Sequence, residues 1–244
     1  MHRFYAEAAG TIGETVRLAE EDARHASRVL RMKPGESCEL FMNGGRYAAE
    51  IDTITDSEVV CRVLQALPST EAALRVTLYQ GLPKADKMEL IVQKAVELGA
   101  ESIVPVAMSR CVVQLNAKDG AKKQDRWQKI AREASKQSGR CMLPEVSCPI
   151  SFKELLRRLP EHDAAIVPWE AAEGYGLTAF HREHADIRSA AVVIGPEGGM
   201  SEEEISRMKE ASCQSVTLGP RILRTETAGL CAMSALLCLY GDME

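Results

Sequence analysis

The pattern of apolar and polar positions along the chain changes near residue 70. Before that point, alternating apolar residues predict three strands, at 37–42, 46–54 and 57–67. Asn43-Gly44-Gly45 separates the first two and is typical of a hairpin turn, because these residues tolerate positive φ. A helix is predicted at 20–32, with acidic residues at its start, basic residues at its end and Pro34-Gly35 after it. These elements indicate a small, mostly β, barrel-like module.

From residue 71 onward, strand-like and helix-like stretches alternate. Strands are predicted at 74–80, 102–107, 163–167, 190–194 and 215–218, and helices at 84–98, 122–138 and 227–240. Ser151 and Ser201 are each followed by Glu three residues later, as in a capping box, so a further helix is expected to begin after each. Such alternation predicts an α/β domain with a mainly parallel sheet. We therefore expect two domains, at residues 1–70 and 71–244.

Composition and charge are those of a soluble globular protein. The chain is 45% hydrophobic and 27% charged, with a formal net charge of −5. No apolar run approaches the roughly 18–20 residues that span a bilayer, and the first residues lack the apolar segment of a signal peptide. These features predict a cytoplasmic protein that does not associate with membranes.

The eight cysteines are interpreted as structural thiols. They form no C-x-x-C pair and have no neighbouring histidines at metal-ligand spacing. Most lie in apolar runs, where a reduced cysteine behaves as a small hydrophobic residue. We therefore expect no metal site, and a thiol-dependent redox protein is excluded. The cysteines are Cys38, Cys61, Cys111, Cys141, Cys148, Cys213, Cys231 and Cys238.

Basic residues are concentrated in two segments although the chain as a whole is acidic. Residues 110–140 contain nine Lys or Arg and three acidic residues, and residues 22–34 contain four basic residues. Binding to a phosphate backbone requires such a local patch rather than a basic protein. A solvated helix face is the alternative for either segment alone.

Two glycine-containing stretches near the carboxyl terminus are the most informative candidate site. Gly195-Pro196-Glu197-Gly198-Gly199 follows the predicted strand at 190–194, and Leu218-Gly219-Pro220-Arg221-Ile222-Leu223-Arg224-Thr225-Glu226-Thr227 follows the next one. Loops after parallel strands are where α/β sheets bind ligands. Neither stretch matches G-x-G-x-x-G or a P-loop. A third strand end, Val167-Pro168-Trp169-Glu170, adds an aromatic and a carboxylate.

The ordered set of these motifs resembles the SPOUT class of RNA methyltransferases, and within it the RsmE family of small-subunit ribosomal RNA (uracil N3) methyltransferases. Further matches are His25-x-x-x-Val29-Leu30-Arg31, Gln93-Lys94-Ala95-Val96-Glu97-Leu98-Gly99 and Arg126-Trp127-x-x-Ile130, so the resemblance covers nearly the whole chain. It implies a carboxyl-terminal α/β domain with a trefoil knot, a PUA-like RNA-binding barrel before it, and S-adenosylmethionine as cofactor. It also implies a homodimer that methylates a uridine of 16S rRNA in assembled or nearly assembled 30S subunits.

By the same resemblance, the three strand-end loops form the cofactor site. Apolar, main-chain-lined walls suit an adenine ring. The alternative role for Trp169 is packing in the core. The alternative role for Thr225 and Thr227 is capping of the last helix. The cofactor candidates are Pro168, Trp169, Gly195, Pro196, Glu197, Gly198, Gly199, Leu218, Gly219, Leu223, Arg224, Thr225 and Thr227.

Methylation of uracil N3 requires loss of a proton, and negative charge develops on the uracil oxygens. We expect Arg224 to stabilise that charge and Glu226 to accept the proton, as catalytic residues. Either could instead belong to an Arg–carboxylate pair that braces the loop.

Docking of the RNA is expected to use cations in both domains. The candidates are Arg3, His25, Arg28, Arg31, Arg110, Arg126, Arg132 and Arg140. Their contacts with phosphates would position the substrate while the target base is extruded into the pocket. The main alternative function is a non-catalytic RNA-binding factor for ribosome assembly, which would need the basic segments but not the two glycine stretches. A Rossmann-type enzyme acting on a small molecule would carry its glycine loop after the first strand instead.

Overall fold

The computed structural model describes residues 2–6, 11–42, 44–55 and 58–243. The chain forms two compact units, Met1–Glu71 with Ser135–Leu143, and Ala72–Ala134 with Pro144–Glu244. This differs in one respect from the division expected at residue 70, because Ser135–Leu143 packs with the first unit. The Glu71 carboxylate explains that packing, since it accepts hydrogen bonds from the Arg140 guanidinium and from the Cys141 and Met142 backbone N–H groups.

The first unit contains a five-stranded sheet. Its strands are β1 (His2–Tyr5), β2 (Thr15–Arg17), β3 (Ser37–Met42), β4 (Gly45–Ile54) and β5 (Val59–Leu67), in the order β1-β3-β4-β5-β2. The β3–β4 pair is antiparallel, as the hairpin signal predicted, and the β4–β5 pair is antiparallel as well. Asn43 of the expected hairpin turn lies outside the described residues, and the neighbouring Gly44 has φ of 76°. Buried side chains such as Phe4, Leu40 and Ile51 form the core.

The helix predicted at 20–32 is shorter and less regular than expected. Helix α1 covers Glu20–Arg24 and continues into a π-helical turn at His25–Val29. The Leu30 N–H donates to the His25 carbonyl, five residues back, and Arg31 then has φ of 53°, which ends the helix. The turn keeps Ala26 buried in the core while His25 and Arg28 are exposed. Tertiary packing therefore decides the geometry of this segment.

The second unit contains a parallel sheet with helices on both faces. The sheet order is β12-β10-β11-β6-β7-β8, and β9 also pairs with β7. The strands are β6 (Arg75–Gly81), β7 (Ala100–Ala107), β8 (Glu145–Val146), β9 (Ile150–Ser151), β10 (Ala164–Pro168), β11 (Ser189–Ile194) and β12 (Cys213–Val216). The helices are α2 (Lys87–Glu97), α3 (Ala117–Ser138), α4 (Phe152–Arg158), α5 (Leu177–Glu183), α6 (Glu202–Glu210) and α7 (Thr225–Leu239).

Side chains on the two faces of this sheet form separate cores. One core packs α2, α3, α5 and α7 against the sheet through residues such as Ile91, Trp127, Phe180 and Met233. The other packs α4 and α6, with Leu155 and Met208 fully buried. All six residues of β11 are buried, as expected for a central parallel strand covered on both faces. Across the residues that the structure describes, no helix combines the length and apolar character needed to cross a bilayer.

The chain path brings the carboxyl ends of β10, β11 and β12 together, because these strands are parallel neighbours. Strand β12 ends at Val216, two residues earlier than predicted, so Leu218 and Gly219 lie in the following loop. That loop runs beside the segment after β10, with the Thr217 N–H donating to the Tyr175 carbonyl at 2.9 Å. Helix α7 then returns over β11 and β6.

Candidate active site

Two adjoining clefts lie at the carboxyl ends of β10, β11 and β12. The first, of about 440 Å³, is lined by the segment after β10 and by the second glycine loop, residues 218–224. The other, of about 500 Å³, is lined by the first glycine loop, residues 195–199, and by the start of α7. Both volumes fall in the range of small-molecule sites. The two clefts share a wall formed by Pro168, Glu170, Ile222, Leu223 and Ala228.

The first glycine loop packs closely against the protein itself. A Cβ on Gly81 would lie 2.7 Å from the Pro196 nitrogen, a Cβ on Gly195 would lie 2.9 Å from Met200 Cγ, and a Cβ on Gly198 would lie 3.1 Å from Arg110 Cβ. Protein atoms therefore occupy the space that a Cβ would need at Gly195 and Gly198. Both glycines also line the second cleft, and their contact with the cofactor stays a prediction.

A buried hydrogen-bond chain fixes the start of this loop. The Thr225 hydroxyl donates to the Gly195 carbonyl at 2.6 Å and accepts from Gln80 Nε2 at 2.8 Å. Gln80 and Thr225 are both buried. Thr225 is therefore more than a helix residue: it joins β6, the end of β11 and α7 at the edge of the second cleft.

Glu197 lines the second cleft, and its carboxylate is also bound by other parts of the chain. Its carboxylate accepts a hydrogen bond from the Lys84 backbone N–H at 3.0 Å and lies 3.2 Å from Lys87 Nζ. Burial raises the pKa of this carboxyl, but hydrogen bonds from backbone N–H groups and from Lys87 outweigh that effect and lower the pKa overall. Glu197 therefore stays ionised and binds the loop before α2.

Glu226, the expected proton acceptor, binds the same lysine. Its Oε2 lies 3.1 Å from Lys87 Nζ. A hydrogen bond from its own backbone N–H and the contact with Lys87 lower its pKa. A carboxylate held in this way is a weak base, and Glu226 is not among the residues that line either cleft. The sequence allowed for a bracing pair between Arg224 and Glu226; the partner is Lys87 instead.

The second glycine loop is the more open wall. Gly219 has φ of 99°, and among the described atoms none lies within 4 Å of where its Cβ would stand. Ile222 is 86% exposed although it lines both clefts. Leu218 and Leu223 line the first cleft with apolar surface. Only glycine adopts such a φ without strain, so the geometry explains Gly219.

The other predicted cofactor residues are divided between these surfaces. Pro168 lines both clefts. Trp169 lines the first cleft and also packs against the core beneath α6, so its packing role is confirmed and its cofactor role stays a prediction. Arg224 is exposed, lines the second cleft and is the N-terminal capping position of α7. Thr227 is exposed, and its N–H donates to the Arg224 carbonyl; it does not line either cleft.

The predicted RNA-binding residues of the first unit fall into two groups. His25, Arg28 and Arg31 are exposed on and just after the π-helical turn. Arg140 is buried, which argues against the expected contact with RNA, whereas Arg3 keeps a partly exposed side chain and stays a prediction. Arg140 is 5% exposed and pairs with Glu71 at 2.5 Å, whereas Arg3 lies 3.4 Å from Glu39 and donates to the Gln137 carbonyl.

In the second unit, the predicted RNA-binding residues also differ in surroundings. Arg110 lies against the first glycine loop, with Nη1 donating to the Gly198 carbonyl at 3.2 Å. Arg126 is exposed and pairs with Glu89 at 2.6 Å, and Arg132 is half-buried on α3. Arg110 is therefore the one candidate of this group that the fold brings to the clefts.

Sequence reasoning missed Lys87, Gln80 and Gly81. All three lie at or just after the carboxyl end of β6, the strand beside β11. A signal was present, because the stretch after a predicted parallel strand is a binding position in α/β sheets. Glu170 was noted but given no role, and it lines both clefts.

The clefts fit the chemistry of S-adenosylmethionine, the cofactor that the resemblance implies. Pro168, Leu218 and Leu223 supply apolar surface for an adenine, and the carboxylates of Glu170 and Glu173 complement a cation. Within the described residues, no group of three or more His, Cys, Asp or Glu is arranged to hold a metal ion. Of the cysteines, Cys148, Cys231 and Cys238 are exposed rather than buried.

Comparison with known proteins defines the class of this fold and site. A model of the RNA methyltransferase domain matches residues 70–237, and a model of the RNA methyltransferase PUA domain matches residues 18–64. The protein is thus an RNA methyltransferase with a PUA-like domain, and the α/β SPOUT fold expected for residues 71–244 is confirmed.

Particular relatives narrow the class further. The chain is 38% identical over 228 residues to ribosomal RNA small subunit methyltransferase E of Bacillus subtilis, covering 91% of this chain and 89% of that protein. The crystal structure of the Neisseria gonorrhoeae protein of that name, bound to S-adenosyl methionine, matches over the whole of both chains with 35% identity and a TM-score of 0.85. A Legionella pneumophila protein described as a methyltransferase, solved with bound SAM, matches at 31% identity and a TM-score of 0.82, covering 97% of this chain and 96% of that one. The chain belongs to the ribosomal RNA small subunit methyltransferase E family, which confirms the resemblance seen in the sequence.

Proposed function

We propose that this protein transfers a methyl group from S-adenosylmethionine to N3 of a specific uridine in 16S rRNA, acting on assembled or nearly assembled 30S subunits. The observation that carries the proposal is the pair of adjoining clefts at three neighbouring strand ends, in a chain of this family. A non-catalytic assembly factor would not need two clefts with a common apolar wall. The cofactor would supply an electrophilic methyl group when bound.

The residues of the clefts divide the chemistry between them. Apolar side chains and loop backbone hold and orient the cofactor, so the protein contributes mainly by positioning. Arg224, exposed at the rim of the second cleft, stabilises negative charge on a uracil oxygen. Glu170 lines both clefts and replaces Glu226 as the group that accepts the N3 proton.

The direct test is methylation of 30S subunits purified from a strain that lacks the gene. With S-adenosylmethionine, the protein is expected to introduce one N3-methyluridine into 16S rRNA, detected by mass spectrometry of nuclease digests. R224A and E170Q are expected to lower kcat at least about 100-fold, in the range for loss of a positioned charge or base. E226Q serves as the comparison and is expected to retain more activity than E170Q. No methyluridine and no heat of cofactor binding would favour the assembly factor.

We propose that His25, Arg28 and Arg31 form the RNA-docking surface of the first unit. All three are exposed, and cations near phosphates give salt-dependent affinity. The double variant R28A/R31A is expected to reduce the slope of log affinity against log salt by roughly 1–2. R24A/R62A is the matched control, because Arg24 and Arg62 are partly exposed but already paired with Glu20 and Asp52. Equal slopes for the two double variants would remove this surface from the RNA site.

We infer that the protein is cytoplasmic and forms a homodimer, as the resemblance implies. The apolar residues Met233, Leu236 and Leu237 of α7 are buried within the chain. The exposed Ile222 and the outer residues Cys231 and Cys238 of α7 offer apolar surface to a partner copy. Light scattering after size exclusion is expected to give twice the chain mass of 26.7 kDa. A mass of one chain at micromolar concentration would contradict the inference.

A further inference from the structure

Lys87 connects two elements that line the second cleft without lining the cleft itself. Its ammonium lies 3.2 Å from Glu197 Oε1 in the first glycine loop and 3.1 Å from Glu226 Oε2 in the first turn of α7. Lys87 is at the start of α2, and the Lys84 N–H of the preceding loop also donates to Glu197. One side chain thus ties three segments of the chain together.

The two carboxylates need a cation between them. Both are partly buried, with side chains 18% and 23% exposed, and both contact the same ammonium. Without Lys87, two negative charges would face each other at short range, and the resulting repulsion would move apart the elements that carry them. Those elements are the first glycine loop and the residues beside Thr225, which together form one side of the second cleft.

We propose that Lys87 is a positioning residue for the cofactor site: by neutralising Glu197 and Glu226, it sets the distance between the first glycine loop and α7. The inference rests on the proposed binding of S-adenosylmethionine. It assigns a function to a lysine that touches neither cleft, and it explains why Glu226 does not serve as the base.

The test compares K87M with a control on the same helix. Lys94 also pairs with a glutamate, Glu97, at 2.8 Å, but that pair lies within α2 and away from the clefts. K87M is expected to bind S-adenosylmethionine about tenfold more weakly by calorimetry. K94M is expected to bind it as the unchanged protein does. Hydrogen exchange in the first glycine loop, measured without cofactor, is expected to increase in K87M and not in K94M.

Two further variants separate a charge effect from loss of packing. K87M/E226Q removes the repulsion along with the cation, so its affinity is expected to return to within about threefold of the original. K87R keeps a cation and is expected to lie between the original protein and K87M. A packing role alone would leave the double variant as weak as K87M.

The outcomes distinguish this inference from the proposed function. If the unchanged protein gives no heat with S-adenosylmethionine, the proposed function fails. If it binds but K87M binds equally well, or if E226Q fails to rescue K87M, Lys87 has no positioning role and the proposed function stands.

Discussion

The two glycine loops line adjoining clefts, yet they are built differently. The first glycine loop is held by contacts on nearly every residue: Gly195 by Thr225, Pro196 against Gly81, and Glu197 by Lys87. The second has the open Gly219 and the 86% exposed Ile222. Its N–H at Gly219 donates to the Thr217 hydroxyl, a local contact two residues away.

This difference indicates that the two loops contribute to the site in different ways. A wall held by many tertiary contacts keeps its shape before a ligand arrives, which lowers the ordering cost of binding. A wall with few tertiary contacts forms most of its contacts only when a ligand or a partner chain binds. Substitutions in and around the first loop should therefore affect folding and binding together, whereas substitutions in the second should affect binding alone.

The largest effect is expected from G81A. The new Cβ would lie under 3.0 Å from the Pro196 nitrogen and Cδ, and backbone cannot move aside as a flexible side chain can. The free energy of unfolding should fall by about 3 kcal/mol, as for severe overpacking, with loss of cofactor binding. Urea denaturation measures the first and calorimetry the second. G120A is the control: its Cβ would meet Pro149 at 3.4 Å within a helix, so stability should stay equal or rise slightly.

T225V should have the next largest effect. Valine preserves the volume but leaves the Gly195 carbonyl and Gln80 Nε2 without their buried partner. The expected loss of unfolding free energy is about 2 kcal/mol. T225S restores the hydroxyl and should recover most of the difference. Equal stability of T225V and T225S would contradict the view that this hydrogen-bond chain holds the first loop.

A smaller effect is expected from Glu204 in α6, the helix after the first glycine loop, and it concerns how stability depends on pH. The Glu204 carboxylate accepts from Ser201 and from the Ser109 N–H at 2.8 Å, completing the capping box of α6. Burial raises the pKa of Glu204, but these hydrogen bonds outweigh burial and lower it below the ordinary value of 4.5. The unfolded chain therefore takes up the proton more readily, so the stabilisation is complete above about pH 4.5 and is lost as pH falls through the lower folded pKa.

E204Q should accordingly cost about 1 kcal/mol of unfolding free energy at pH 7 and less as the pH is lowered. Denaturation curves recorded from pH 7 to pH 3 show whether the unfolding free energies of E204Q and the unchanged protein converge. E203Q changes an exposed position of the same helix, and its unfolding free energy should vary with pH as that of the unchanged protein does. A constant difference between E204Q and the unchanged protein at every pH would rule out this carboxylate as the source.

The smallest effect on folding is expected from I222A in the second loop. Ile222 is almost fully exposed, so the unfolding free energy should change by less than about 0.5 kcal/mol. Cofactor affinity should still fall, by roughly threefold, because Ile222 lines both clefts and loses apolar contact area. V112A removes a side chain that is 68% exposed elsewhere in the unit and should change neither quantity. A destabilised I222A would mean that the second loop is held as firmly as the first.

Much of the fold could be predicted from local pattern. The alternation after residue 71, the helix starts at Ser151 and Ser201, and the placement of both glycine loops after neighbouring strands are properties of short segments. Only Ser201 forms the full capping box, since the Glu154 carboxylate pairs with Arg157 and Arg158 instead. The helix predicted at 20–32 was wrong in its second half, because periodicity does not reveal a π-helical turn that packing imposes. Arg140 shows a related limit: the sequence of a basic residue is the same whether its guanidinium faces solvent or, as here, is buried against the Glu71 carboxylate.

The order of secondary-structure elements, the helix starts and the position of both glycine loops after strands were determined by the sequence alone, since each depends on residues within a few positions of one another. The tertiary structure decided which residues, distant in sequence, form hydrogen bonds and ion pairs with one another. Lys84 and Glu197 are 113 residues apart, and Arg140 and Glu71 are 69 apart. The first pair forms because β6 and β11 are parallel neighbours, and the second because Ser135–Leu143 packs with the first unit. Local physical chemistry does not specify which distant segments become neighbours.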